Sequence, residues 1–216
     1  MSAAGKKYDN KDTDLVPEVK RLKSSFEKQD ISLVVGGKRL YINKAELMEK
    51  SPVFKTMFTA DFKEKNALEI QLPDKDLHHF LMFLRCTLDG YDDSINDLNV
   101  HFIIPIAHEY QVKQTLDKAD LFLSNHYVNR NLGGNACKDI VNGIIEAEKY
   151  DLTQTLNTLI DFASRKKFAY ISQASDFNAI SKRVLHKISM ARWQKDIDGN
   201  TGKQCTASNG SYEVRN

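Results

Sequence analysis

The sequence has little of what disulfide-stabilised or membrane-spanning proteins are built from. Its 216 residues include three cysteines, Cys86, Cys137 and Cys205, and such scattered residues cannot form a disulfide framework. No stretch approaches the roughly 20 consecutive apolar residues that cross a bilayer. Residues 1–14 are polar and charged and lack the apolar core of a secretory signal. We therefore expect no membrane partner and a cytoplasmic or nuclear protein.

The sequence also lacks an excess of charge of either sign. It has 31 Lys+Arg against 29 Asp+Glu, a formal net charge of +2. A nucleic-acid-binding protein needs a basic face that displaces counterions from phosphates, so we expect no nucleic-acid partner. Apolar residues make up 41% of the chain, enough for one large domain or two small ones with ordinary cores.

Sequence patterns of catalysis and metal binding are missing. The six histidines lie in no H-E-x-x-H pattern and beside no C-x-x-C pair; they are His78, His79, His101, His108, His126 and His186. There is no phosphate-binding loop, dinucleotide fingerprint or nucleophile elbow. We expect no enzyme, no cofactor and no metal. Cys86, on an apolar helix face, is interpreted as a small buried side chain.

The first half of the chain mixes strands and helices. Two β-rich runs flank Gly36-Gly37 and predict a hairpin, because this turn needs positive φ angles. Ser51 followed by Pro52 is typical of a helix start. The alternation of residues 68–72 predicts a half-buried strand, and Asp74 or Asp76 then caps a helix. Pro105 is expected to kink the next helix or delay its start.

A narrow apolar stripe precedes the hairpin. Leu15, Val19, Leu22 and Phe26 lie at i, i+4, i+7 and i+11, which predicts a helix with one apolar edge. This edge either packs on the core of its own domain or pairs with a second copy of the chain. The spacing alone leaves both interpretations open.

Beyond Gly133-Gly134 every pattern is helical. Three apolar stripes run over residues 140–147, 152–163 and 177–188, with Asp151 as a plausible cap of the second. The third helix is expected to end near Trp193. We predict four segments: a disordered N-terminus at 1–14, a mixed α+β domain at 15–127, a helical domain at 128–193, and a disordered tail at 194–216.

The order of these motifs resembles a known family. The resemblance is carried by Asp30 to Val35, Leu47, Ser51-Pro52-Val53-Phe54, Met57-Phe58, Phe62-Lys63-Glu64, Leu72-Pro73-Asp74 and the helix from Ile104 to Val112. Residues 15–127 look like a BTB/POZ domain. The helices after it, especially Ala147 to Leu152, resemble the BACK-like extension of speckle-type POZ and nematode MATH–BTB proteins. The implied fold class is α+β, a helical cluster flanked by a short sheet, followed by an all-α extension.

The resemblance implies a two-fold homodimer, which favours the pairing interpretation of the stripe. Symmetry places the same patch of each copy against the other. The family pattern places the interface at Leu15, Val19, Leu22, Asp30, Lys44 and Leu47. For Asp30 and Lys44, an ordinary capping or surface ion pair is an equally good interpretation.

The resemblance also implies a docking site for cullin-3. Cullin-3-binding BTB domains carry an apolar residue, any residue and then Glu before the second strand, and Phe62-Lys63-Glu64 stands at that place. Phe62 would fill a pocket of cullin-3 and Glu64 would fix the orientation. Alternatively, Phe62 tucks back onto its own domain.

These inferences predict a non-enzymatic adaptor that forms a homodimer, recruits cullin-3 and delivers an unknown protein client to a ubiquitin ligase. The alternative is a scaffold that clusters a protein partner by BTB self-association, without cullin. A DNA-binding regulator is disfavoured because the sequence has no zinc-finger spacing.

Overall fold

The computed structural model describes residues 30–60, 67–91, 93–130 and 136–201. The chain divides into two compact units, Met1–Ala119 and Asp120–Asn216. The division falls inside one helix, in which the predicted boundary at 127/128 also lies. Leu15, Val19, Leu22, Phe62 and Glu64 lie outside the described residues.

The described part of the first unit contains a three-stranded sheet in the order β2-β1-β3. Strands β1 (Ile31–Val35) and β2 (Lys38–Ile42) form an antiparallel hairpin, and β3 (Glu69–Leu72) pairs with β1 in parallel. Gly36 and Gly37 have φ of +53° and +75°. The predicted hairpin is confirmed, because a two-residue turn of this kind requires two positive φ angles.

Helices lie between and after the strands in the chain, and the last of them extends into the second unit. They are α1 (Lys44–Lys50), α2 (Pro52–Thr59), α3 (Leu77–Thr87), α4 (Val100–Glu109) and α5 (Lys113–Asn129). The two predicted helix starts are confirmed. Ser51 Oγ accepts a hydrogen bond from the N–H of Phe54 at 3.1 Å, and Asp76 Oδ1 accepts one from His79 at 2.9 Å. Each side chain satisfies an N–H that has no partner within the helix.

One aromatic cluster holds the first unit together. Phe54, Phe80 and Phe83 are fully buried, and the ring of Tyr110 stacks on Phe54 with centroids 4.5 Å apart. Burial raises the pKa of the Tyr110 phenol well above its ordinary value, and the nearby charge of Glu109 adds to the rise. Aromatic side chains bury large areas and make specific ring contacts, so this cluster fixes α2, α3 and α4 against one another.

Helix α4 contains Pro105, for which a kink or a delayed start was predicted. It begins at Val100 and runs without interruption to Glu109, so the proline does not delay its start. It ends where Gln111 adopts φ +53° and the N–H of Val112 donates to the carbonyl of Ala107 at 2.8 Å. This six-residue closure satisfies a carbonyl that the helix leaves open.

The second unit is helical throughout its described part. After α5 it contains α6 (Ala136–Lys149), α7 (Thr153–Arg165), α8 (Phe168–Ile171), a 3₁₀ turn (Phe177–Ala179) and α9 (Lys182–Thr201). The short α8 was not predicted, and Phe177 lies in the 3₁₀ turn rather than in the third helix. Helix α9 runs past its predicted end at Trp193, into the segment predicted as a disordered tail.

The end of α6 repeats the end of α4. Asp151 has φ +56°, and the N–H of Leu152 donates to the carbonyl of Ala147 at 2.9 Å. Residues 107–116 and 147–156 share the pattern A-x-x-Y-x-[V/L]-x-Q-T-L. The same local sequence therefore makes the same closure twice, and in both places the next helix follows at once.

Asp151 does not cap α7, contrary to the sequence-based prediction. It is the left-handed residue after α6, and Leu152, at the start of α7, makes no side-chain cap. The cap comes from α5 instead, because the carboxylate of Asp120 accepts hydrogen bonds from the N–H groups of Gln154 and Thr155, both at 2.8 Å. A carboxylate here satisfies two open donors and interacts favourably with the positive helix end.

The opposite end of α7 is held by α9. Arg192 donates to the carbonyls of Ala163, Ser164 and Lys166 at 2.8–3.2 Å. These carbonyls belong to the last turn of a helix, where a cation and a hydrogen-bond donor are both favourable. Arg192 therefore fixes the register of α9 against α7.

Candidate functional site

The predicted pair Asp30 and Lys44 is adjacent in the structure. Asp30 Oδ1 accepts a hydrogen bond of 2.7 Å from the backbone N–H of Lys44, the first residue of α1. Asn43 Oδ1 accepts another from the N–H of Glu46 at 3.2 Å. Together they cap α1, which gives Asp30 a structural role within one chain.

The side chain of Lys44 points to the end of α2. Its Nζ lies 5.1 Å from the ring centroid of Phe58, within the range of a cation–π contact. Phe58 is itself buried and stands one residue before the end of α2 at Thr59. The connection from α2 to β3 thus leaves from a fixed point beside Lys44.

Leu47, also predicted at the dimer interface, is 1% exposed in the single chain and belongs to the core of the first unit. A side chain that is already buried has almost no surface left to bury against a second copy. We therefore leave Leu47 out of the interface proposed below.

The remaining predicted site residues fall outside the described part of the chain. For Leu15, Val19 and Leu22 the interface stays a prediction. Phe62-Lys63-Glu64 stands in sequence between the end of α2 at Thr59 and the start of β3 at Glu69. That connection is the place at which the tripeptide is expected.

An exposed apolar pair lies on the same unit and was missed by sequence reasoning. Leu98 is 81% exposed just before α4, and Phe102 is 42% exposed within it. The Phe102 ring stacks on His79 of α3, with centroids 3.9 Å apart and planes 9° from parallel. Phe102 stands at the edge of the buried stripe of α4 (Val100, Ile103, Ile104, Ile106, Ala107), and an aromatic residue at that edge is the signal that could have found it.

The N-terminus of α2 is tied to the end of α4. Ser51 Oγ, which caps α2, also donates to the carbonyl of Tyr110 at 2.5 Å. Because Ser51 and Tyr110 are both buried, this bond forms away from competing water. It connects α2, which leads to the tripeptide, with α4, which carries Phe102.

Within the described residues, no group of three His, Cys, Asp or Glu side chains could hold a metal ion. Burial raises the pKa of the Cys86 thiol to about 11, so this cysteine stays protonated and unreactive at neutral pH. As predicted, it is a buried core residue. No helix among the described residues is long and apolar enough to cross a membrane.

Comparison with known proteins places the first unit in a family. Residues 21–127 match the BTB/POZ domain family. The chain is 30% identical to BTB and MATH domain-containing protein 38 of Caenorhabditis elegans over 94 residues, 44% of this chain and 24% of the relative.

Other relatives extend the similarity into the second unit. Kelch-like protein 8 of Caenorhabditis elegans is 25% identical over 188 residues, 84% of this chain and 25% of the relative. Kelch repeat and BTB domain-containing protein A55 of vaccinia virus (strain Western Reserve) is 22% identical over 185 residues, 82% of this chain and 31% of the relative. The chain thus spans about a quarter to a third of the length of these relatives.

The fold and the comparisons agree on the predicted class. A small three-stranded sheet with helices is followed by further helices, which confirms the α+β prediction. A BTB domain is a domain of protein–protein interaction and self-association, and no catalytic domain is indicated. This chain is a BTB/POZ domain protein, distantly homologous to nematode BTB–MATH and Kelch–BTB proteins.

Proposed function

We propose that this protein is a non-catalytic adaptor that pairs with a second copy of itself and recruits cullin-3 to a ubiquitin ligase. The observation that carries the proposal is the position of Phe62-Lys63-Glu64 in a BTB domain, between Thr59 and Glu69. The interface between copies uses Leu15, Val19 and Leu22, with Asp30 and Lys44 at its edge. The second unit is proposed to be the BACK-like extension, since the similarity to Kelch-like protein 8 reaches into it.

The described residues support a docking surface on the first unit. Lys44 and Phe58 fix the end of α2, and the bond from Ser51 to Tyr110 ties α2 to α4. Leu98 and Phe102 expose apolar surface at α4. A rigid base with an aromatic anchor is what a protein interface needs, because few side chains carry most of the binding energy.

The test is calorimetry with the N-terminal fragment of cullin-3. Phe62→Ala is expected to weaken binding about 30-fold, since loss of an interface anchor costs about 2 kcal/mol. Lys63→Ala, at the unrestricted middle position, is the matched control and should bind like the wild type. Equal binding by wild type and Phe62→Ala would show that the tripeptide is not the docking site.

A second candidate is a scaffold that brings copies of a protein partner together without cullin. It needs only the self-association that a BTB domain provides. Co-purification with cullin-3 separates the two functions. If the wild type retains cullin-3 and a variant changed at Phe62 and Glu64 loses it, the adaptor is supported. If the wild type does not retain cullin-3, the scaffold is supported.

A further inference from the structure

Helix α9 exposes an apolar stripe that nothing in the described chain covers. Met190, Trp193 and Ile197 are 49%, 65% and 47% exposed. They are three and four residues apart and therefore share one face of the helix. The opposite face is buried, as shown by Val184 at 0% and Ile188 at 5%.

The stripe is held in place rather than loosely presented. On the side of α9 that faces its own unit, Arg192 bonds the last carbonyls of α7 and Lys195 pairs with Asp161. With these contacts made, the helix cannot roll to bury Trp193 without breaking them. An exposed aromatic side chain on a helix that is fixed in this way is typical of an interface anchor.

The first turns of α9 add positive charge. Lys182, Arg183 and Lys187 are exposed, and within the described part of the chain none of them forms an ion pair. The three cations and the stripe together span from Lys182 to Ile197, about 22 Å at the rise of an α-helix. We call these six residues the α9 face: Lys182, Arg183, Lys187, Met190, Trp193 and Ile197.

We infer that the α9 face docks an acidic amphipathic helical segment of the client protein. This inference rests on the adaptor function proposed above. Charge complementarity selects the occupant, since unpaired cations beside an apolar stripe favour a segment with acidic and apolar residues at helical spacing. Trp193 packs between apolar side chains of the client segment. The carboxylates of that segment lie over the first two turns of α9. A client segment of about 16 residues matches the length of the face.

The first experiment selects peptides on the full-length protein from a random library of about 16-residue peptides. Peptides are counter-selected against the variant Met190→Ser, Trp193→Ser, Ile197→Ser, which should fold because all three side chains are exposed. We expect the retained peptides to carry net negative charge and apolar residues three or four apart. Retention of basic or uncharged peptides, or of none, overturns the inference.

The second experiment titrates a retained peptide and follows the fluorescence of Trp193, the only tryptophan in the sequence. We expect a blue shift on binding and at least a tenfold weaker affinity for Lys182→Glu, Arg183→Glu, Lys187→Glu. The matched control is Lys38→Glu, Lys55→Glu, Lys118→Glu, which makes the same change of charge at exposed sites of the first unit. Equal loss in both variants means that only net charge matters and contradicts a local site.

Two further outcomes identify a different occupant and overturn the inference. A blue shift that grows with protein concentration alone indicates a second copy, and one produced by vesicles of phosphatidylcholine and phosphatidylserine indicates a membrane surface. Neither experiment contains cullin-3. Failure of the client site is therefore distinguishable from failure of the proposed cullin docking.

Discussion

Asp120 and Thr155 are joined by two hydrogen bonds. The carboxylate of Asp120 accepts from the N–H of Thr155 at 2.8 Å, and the hydroxyl of Thr155 donates to the backbone carbonyl of Asp120 at 3.0 Å. Both residues are buried, at 7% and 1% exposure. Because 35 residues separate them in sequence, this pair fixes where α7 begins relative to α5.

Asp120→Ala should lower the free energy of unfolding by about 2–4 kcal/mol, because it leaves two N–H groups at the start of α7 without an acceptor. Asp120→Asn keeps one acceptor and should cost about half as much. Urea unfolding followed by circular dichroism measures both. Asp117→Ala, which removes only the exposed ion pair with Lys113, is the control and should change stability by less than about 1 kcal/mol. An Asp120→Ala variant as stable as this control would show that the remote cap contributes nothing.

Gly143→Ala should destabilise the second unit. A Cβ at Gly143 would stand 2.5 Å from the hydroxyl of Tyr127 and 2.7 Å from Cδ1 of Leu159. Overpacking of this kind costs about 1–3 kcal/mol, which outweighs the gain of up to about 1 kcal/mol in helix propensity. Thermal unfolding measures the change. Adding Tyr127→Phe removes the nearest atom and should restore part of the loss, whereas a Gly143→Ala protein more stable than wild type would contradict the close contact.

Glu46 should make the protein less stable as pH rises. Burial raises the pKa of its carboxyl, and the charge of Asp89 adds to the rise, although the hydrogen bond from the N–H of Asp89 opposes it. Since the folded chain favours the protonated form, ionisation above the ordinary pKa of about 4.3 costs stability. Glu46→Gln keeps an acceptor and removes the charge. It should be at least as stable as wild type at pH 7 and lose this advantage below about pH 4.

Comparing unfolding of the Glu46→Gln variant and the wild type at both pH values measures the effect. Glu49→Gln, a neighbouring exposed position on α1, controls for net charge. A Glu46→Gln protein that is less stable than wild type at pH 7 would mean that the carboxylate charge stabilises the fold.

The double variant Val19→Asp with Leu22→Asp should be a monomer. Charges on the predicted apolar edge would have to be desolvated in the proposed interface, which costs more than the burial of these side chains contributes. Light scattering reports the mass. Lys20→Asp with Ser24→Asp lies on the other side of the predicted helix and should stay dimeric. A dimeric Val19→Asp, Leu22→Asp protein would remove these residues from the interface.

Local sequence was sufficient wherever the partners are close in the chain. The Gly36-Gly37 turn, the Ser51 cap and the Asp76 cap each follow from residues within a few positions, and all three are confirmed. The burial of Cys86 on an apolar helix face was predicted in the same way. Such features depend on backbone geometry and on one or two hydrogen bonds, which a short window contains.

The features that were missed depend on partners that are distant in sequence. Asp120 reaches α7 across 34 residues, and Arg192 reaches it across 26 to 29. No local pattern shows which helix end a remote side chain will meet. Asp151 misled because an aspartate suits both a cap and a left-handed position. The sequence pattern that residues 147–156 share with 107–116 is the signal for the left-handed position of Asp151.

The order of strands in the sheet has a consequence for synthesis. Strand β1 meets β2 across a two-residue turn, but its parallel partner β3 arrives much later, with Ser32 opposite Glu69. The hairpin can close within microseconds. The other edge of β1 can pair with β3 only after the ribosome has synthesised and released residues up to Leu72. Until then the strand that contains Leu33 and Val35 has unpaired backbone N–H and C=O groups along one edge. Such an edge can pair with the strand of another nascent chain. A messenger truncated before that codon would yield a product prone to aggregate.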